Sequence, residues 1–317
     1  MISVLMSIYS EKIDWIERAI ESILNQTYKD FEFIIVNDCP QRKENINILQ
    51  KYAKIDKRIK LIQNSENIGL TKSLNKAFCE SSGEFIARMD ADDISDKYRF
   101  EKQLAVFNQN LDIGVCGTGI TEFGLRNKKR IFSQYVNSEP FLFESFFAHS
   151  TVMIRRSIIE RLEIFYNIDY KYSQDFELWS RLFFVTNFYN IPESLLLYRI
   201  SDMQISSGKA IEQNDLAIKI RRKFIASFIK QTTNENINLN DWNLIEFKIL
   251  ENSLKLFPNL NKSGFRLHLV YMYKALLSKD RLFSLWSILR HISLGEIKVI
   301  DFFKILRFWF TSKYHIL

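Results

Sequence analysis

Three carboxylates fall within four positions, Asp90, Asp92 and Asp93, in the run Met89-Asp90-Ala91-Asp92-Asp93. Acids packed this closely repel one another unless a cation joins them. Carboxylate oxygens suit Mg²⁺ or Mn²⁺, and such ions complete their shell with water and a substrate diphosphate. The plainer alternative is that Asp93 or Asp96 caps the next helix while the other acids are solvated. A bare D-x-D is too short to decide between them. Asp38 closes another apolar run, where an acid can accept hydrogen bonds from a base N–H or ribose hydroxyls. Between these positions the stretch Asn64-Ser65-Glu66-Asn67-Ile68-Gly69-Leu70-Thr71-Lys72 leads into a helix N-terminus, a favourable place for phosphate charge. Lys72 either adds a positive charge to a diphosphate or is a solvated surface lysine.

The elements that must position these residues are short apolar runs at 2–9, 32–37, 59–63 and 84–89, separated by helical patterns. Asp14 with Glu17 forms a capping pattern for the first helix, whose Trp15, Ile16, Ala19, Ile20, Ile23 and Leu24 share one face. Further helices are expected at 46–52, 70–78 and 100–107. This alternation specifies βαβ units and a mostly parallel α/β sheet, which binds its ligand at the carboxyl ends of the strands. Asp38 and Asp90 then reach the same rim. After about residue 113 shorter, mixed strands are expected at 113–123, 150–155 and 195–200 around a helix at 174–186. Beyond Ile205 the patterns at 211–230, 241–256, 264–278, 281–292 and 297–311 are helical. A domain boundary is placed near 210, giving a catalytic domain over 1–210 and a helical, basic, aromatic-rich region over 211–317.

Composition narrows the function class. The chain has 317 residues, 47% of them hydrophobic and 26% charged, enough to build a large ordered core. Cys39, Cys79 and Cys116 form neither a disulfide framework nor a C-x-x-C pair, which fits a reducing cytosol. No signal peptide and no run of 18 apolar residues is read. The net charge of +7 is concentrated at the C-terminal end: residues 211–317 hold 17 Lys+Arg against 9 Asp+Glu, and residues 1–210 hold 27 against 28. The last third is therefore expected to face something anionic.

Five motifs in order make the first two thirds resemble glycosyltransferase family 2, the inverting enzymes of the GT-A fold, of the type found in bacterial polysaccharide biosynthesis. They are Ser7-Ile8-Tyr9, the run from Ala19 to Asp38, N-x-G-L-T-K-S-L-N at 67–75, M-D-A-D-D at 89–93 and Q-D-F-E-L-W-S-R-L at 174–182. The resemblance implies a Rossmann-like nucleotide half, a mixed-sheet acceptor half and a helical C-terminal extension. It also implies a nucleotide-sugar donor, with UDP the family-based guess. Ser7, Tyr9, Asp38, Asn67, Lys72 and Asp90 are then the donor contacts, Asp92 with Asp90 the ligands of Mn²⁺ or Mg²⁺, and Asp175 the catalytic base. Asp175 opens an amphipathic helix, where the dipole favours its ionised, proton-accepting form; the alternative is an ordinary first-turn aspartate. Trp179 either offers an apolar face to a sugar ring or belongs to the core. His149 either contributes to the site or is structural. The pattern departs at Asn37-Asp38-Cys39-Pro40, at Gln174 where an acid is usual, and at Ser201, where many relatives carry a histidine. A third protein ligand for the metal is left unassigned.

The implied reaction transfers a hexose or N-acetylhexosamine to a sugar hydroxyl, on a lipid-linked oligosaccharide of capsule, O-antigen or exopolysaccharide synthesis. The helical pattern at 299–310 interleaves charges with aromatics and suits either an anionic membrane interface on the cytoplasmic face or packing against the protein or a second copy. A nucleotidyltransferase would want a Gly-rich basic loop after the first strand, and Tyr9-Ser10-Glu11-Lys12 is not one. A basic nucleic-acid-binding protein would leave the acidic strand ends without a purpose.

Overall fold

Two interior strands of the sheet are almost continuous apolar runs, Ile2–Ile8 (β1) and Phe31–Asn37 (β2), and both are buried nearly end to end. Burial on both faces is what a parallel strand covered by helices requires. The computed structural model describes residues 1–136, 146–202 and 209–233. Among them β1 pairs in parallel with β2 on one side and with Phe85–Arg88 (β4) on the other, and Ile59–Gln63 (β3) extends the sheet beyond β2. The helices Ile13–Leu24 (α1), Lys43–Ile55 (α2), Leu70–Cys79 (α3) and Arg99–Gln109 (α4) alternate with these strands. Asp14 does not cap α1: Lys12 holds the cap position without a side-chain bond, and Asp14 lies inside the first turn, where its charge complements the dipole.

The second half turns the sheet mixed. Its strands are Ile94–Ser95 (β5), Ile113–Gly124 (β6), Lys128–Arg130 (β7), Met153–Arg155 (β8) and Asn187–Ile200 (β9), in the order β3-β2-β1-β4-β8-β6-β9-β5 with β7 paired to β6. β8 runs antiparallel to β4 and β6, whereas β6 and β9 are parallel. Strand β9 extends well upstream of the expected 195–200. Pro192 has no N–H to donate to a ladder, but the register skips from Thr118↔Ile191 to Gly119↔Ser194, so Pro192 and Glu193 sit in an irregularity that needs no ladder donor. The expected strand 150–155 begins only at Met153, because His149–Thr151 forms a 3₁₀ turn. The short helix Arg156–Ile159 (α5) follows, then Gln174–Leu182 (α6), which stops four residues before the expected end. Gln103 binds α4 to the mixed half by donating to the carbonyls of Cys116 (2.7 Å) and Thr151 (2.8 Å).

The chain divides into two compact units, one of residues 1–136 with 145–220 and one of residues 137–144 with 221–317. The helix Ala210–Thr233 (α7) covers the helical pattern expected at 211–230. The patterns at 241–256, 264–278, 281–292 and 297–311 lie outside the described residues. No helix among the described residues is long and apolar enough to cross a membrane.

Candidate functional site

Strand register brings the acids together. Ile8 pairs with Asn37, so Tyr9 and Asp38 leave the sheet side by side. Leu5 pairs with Arg88, which places Asp90 level with Ser7. A cavity of about 660 Å³ opens at this rim, a volume in the range of small-molecule sites. Ser7, Tyr9, Asp38, Asn67, Lys72, Asp90, Asp92, His149 and Asp175 all line it, and of the sequence-derived candidates only Trp179 does not.

Asp38 is buried, and it organises the loop that leads into α3. Its Oδ1 accepts from Asn64 Nδ2 (2.8 Å) and from the Ile68 amide (2.9 Å), and its Oδ2 accepts from the Gly69 amide (2.8 Å). A carboxylate offers about four acceptor positions, so one on Oδ2 is left for a ligand N–H. Gly69 takes φ +83°, with nothing within 4 Å of where a Cβ would stand, so the constraint is backbone conformation and not space. The turn aims the α3 N-terminus, with Thr71 and Lys72, into the cavity, where phosphate charge is favoured.

The three neighbouring acids divide their work. Asp90 forms an ion pair with the buried guanidinium of Arg88. Asp93 is not a helix cap: it is buried, accepting from Ser150 Oγ (2.6 Å) and from the Arg199 amide (2.8 Å), and so braces the acidic loop against β9 and the 3₁₀ turn. Burial and the charges of Asp90 and Asp92 raise its carboxyl well above the usual range. No cation pairs with Asp92 among the described residues; burial, then Asp90 and Glu11, pushes its carboxyl up to about 7. A carboxylate held in this strained state fits a hard divalent cation, which would relieve the repulsion. Among the described residues no three His, Cys, Asp or Glu side chains converge on one point. A site of this kind supplies few ligands and draws the others from water and substrate oxygens.

Asp175 stands in the first turn of α6, half-buried and facing the cavity. The helix amide of Phe176 donates to its Oδ1 (2.8 Å) and lowers its pKa, but burial is larger, and the net shift is upward. The dipole expected to hold it ionised is therefore outweighed. The consequence is a more basic carboxylate, better matched to removing a hydroxyl proton near neutral pH. His149 lines the cavity with its Nε2 bonded to Tyr166 Oη (2.7 Å), and burial drives its pKa well below the ordinary value, so the imidazole is neutral. Trp179 is fully buried, edge-on to Phe147 and beside His149, and offers no face to a sugar. It belongs to the core because its position on α6 turns inward. Gln174 and Ser201 line the cavity, and each has a buried oxygen with no hydrogen-bond partner.

Among the cavity residues not singled out from sequence, Glu11 and Arg88 bear on the acids. Glu11 accepts from the Tyr9 amide (2.8 Å), which fixes the end of β1, and adds to the negative field on Asp92. Arg88 could have been found: a cation two positions before Asp90 on a strand shares its face by the period of two.

Comparison with known proteins agrees with this geometry. Residues 3–173 match the profile of glycosyl transferase family 2. An uncharacterized glycosyltransferase of Haemophilus influenzae is 30% identical over 315 residues, covering 94% of this chain and 93% of that protein. The O-antigen biosynthesis glycosyltransferase WbnJ of Escherichia coli is 35% identical over 211 residues, 63% of this chain and 80% of that one. Among solved structures, S. aureus TarS 1–349 in complex with UDP superposes with a TM-score of 0.59 at 18% identity, over 87% of this chain and 78% of that chain, a likeness of fold. The chain is a glycosyltransferase with a GT-A-type mixed α/β sheet and belongs to glycosyl transferase family 2.

Proposed function

We propose that the chain is an inverting, metal-dependent glycosyltransferase that moves a hexose or N-acetylhexosamine from a UDP-sugar to a sugar hydroxyl. The acceptor in this reading is a lipid-linked oligosaccharide of capsule, O-antigen or exopolysaccharide synthesis, met at the cytoplasmic face of the membrane. The observation that carries it is the meeting of Asp175 with Asp90 and Asp92 across one cavity of about 660 Å³ that also takes in the α3 N-terminus. The relative WbnJ, an O-antigen enzyme, supports the pathway class, and TarS, a neighbour in fold, is seen with UDP.

In this mechanism Tyr9 and the free acceptor position of Asp38 orient the base, while Asn67, Lys72 and the α3 amides face the diphosphate. Asp92 and Asp90 would hold Mn²⁺ or Mg²⁺, which when bound neutralises charge on the departing diphosphate. Asp175 takes the proton of the acceptor hydroxyl as its oxygen attacks the anomeric carbon; the bond to the diphosphate breaks on the opposite face and the configuration inverts. One base suffices, because a nucleoside diphosphate facing the α3 amides and Lys72 leaves without a general acid. The raised carboxyl of Asp175 serves this step. The test is a nucleotide-sugar panel with Mn²⁺ or Mg²⁺, following nucleoside diphosphate release with and without a membrane lipid extract. Release should depend on one donor and rise with the extract; no release with any donor would refute the enzymatic assignment.

A further inference from the structure

The hairpin joining β6 to β7 is a charged patch that the cavity does not use. Residues 124–131, Gly-Leu-Arg-Asn-Lys-Lys-Arg-Ile, are exposed without interruption. They hold four cations, and no acid occurs from Phe123 to Val136. The buried carboxylate of Glu122 pairs with Arg126 (2.6 Å) and Arg130 (3.5 Å), which stiffens the hairpin. Lys128 and Lys129 have no ion pair among the described residues. Leu125 is 67% exposed and Ile131 45%, so aliphatic side chains stand in water beside the cations.

That combination selects among anionic partners. A soluble polyanion would engage the lysines and leave Leu125 and Ile131 idle. An anionic bilayer uses both, with lipid phosphates meeting the cations and the aliphatic groups entering the headgroup boundary. Position adds to the case. Gly124 takes φ +95°, and a Cβ there would stand 2.6 Å from the Ile200 carbonyl; that carbonyl also accepts from the Leu125 amide (3.1 Å). The tip is therefore pinned to the end of β9, the strand that delivers Tyr198 to the cavity just before Ser201.

We propose that the 124–131 hairpin docks on an anionic phospholipid surface and so holds the β9 side of the cavity against the bilayer. The proposal takes its purpose from the lipid-linked acceptor reading above, but binding and transfer are measured separately. The experiment is co-sedimentation of the full chain with phosphatidylcholine vesicles, with and without phosphatidylglycerol. Wild type should follow the anionic vesicles and largely miss the neutral ones. The double substitution Lys128→Gln with Lys129→Gln should weaken partitioning about 30-fold, and Leu125→Ser about tenfold, with UDP affinity unchanged in both. Wild type that ignores anionic vesicles, or variants that sediment like wild type, would overturn the proposal. So would equal capture by dextran sulfate with Leu125→Ser silent, which would assign the patch to a polyanion. Vesicle binding without transfer to any lipid-linked acceptor would remove the acceptor reading and leave the docking surface standing.

Discussion

Replacing Asp38 separates its two tasks. In Asp38→Ala the Ile68 amide loses its acceptor, which costs about 1–3 kcal/mol for an orphaned donor. The other two donors keep a second partner: Asn64 Nδ2 retains Ser73 Oγ (3.0 Å) and the Gly69 amide retains Asn67 Oδ1 (2.9 Å). Each of those losses is worth about 0.5–1 kcal/mol, and the whole substitution about 2–5 kcal/mol. Asp38→Asn should cost less, about 1–2 kcal/mol, because the amide oxygen can still serve Asn64 and Ile68 while its NH₂ opposes only Gly69. Urea unfolding followed by tryptophan fluorescence measures the loss, and calorimetric titration with UDP measures the site. The expected outcome is that stability and UDP affinity fall together in the order wild type, Asn, Ala. A fully stable Asp38→Ala that no longer binds UDP would refute the structural role and make Asp38 a nucleotide contact alone.

Two further predictions concern charge. Asp175→Asn should keep UDP affinity and lose roughly 10²–10⁴-fold in kcat. In wild type the acidic limb of kcat/KM should lie above the ordinary carboxylate value of about 4, since burial raises Asp175; a limb at or below that value, or retained turnover, counts against the base assignment. Asp92, raised to about 7, must lose a proton before it can bind a cation. Mn²⁺ affinity without nucleotide should therefore fall about tenfold per unit as pH drops below about 7. Stability without the metal changes in the opposite sense: the protonated carboxyl favours the folded chain at low pH, and this contribution is lost as pH rises through about 7. Mn²⁺ should therefore raise the melting temperature more at pH 8 than at pH 5. An affinity flat between those values would show that Asp92 is not a ligand.

Much of this protein was legible in its sequence because the relevant signals are local. The buried runs of β1 and β2, the face of α1 and the motif around Asp90 need only neighbours a few residues away, and together they specify the parallel half of the sheet and the rim where its ligand belongs. Local signals fail where distant segments set the conformation. β9 reads as a strand only over 195–200 until β6 supplies the partner that extends it upstream and tolerates Pro192 in an irregularity. Asp93 looks like a helix cap until Ser150 and Arg199 arrive from residues 57 and 106 positions away. Trp179 looks available to a sugar until Phe147 and His149 close over it. The order of the acids along the chain follows from sequence alone. Which acid is paired, which is braced and which is strained was decided only by tertiary structure, because burial and opposing charge, not residue type, set the state of a carboxylate.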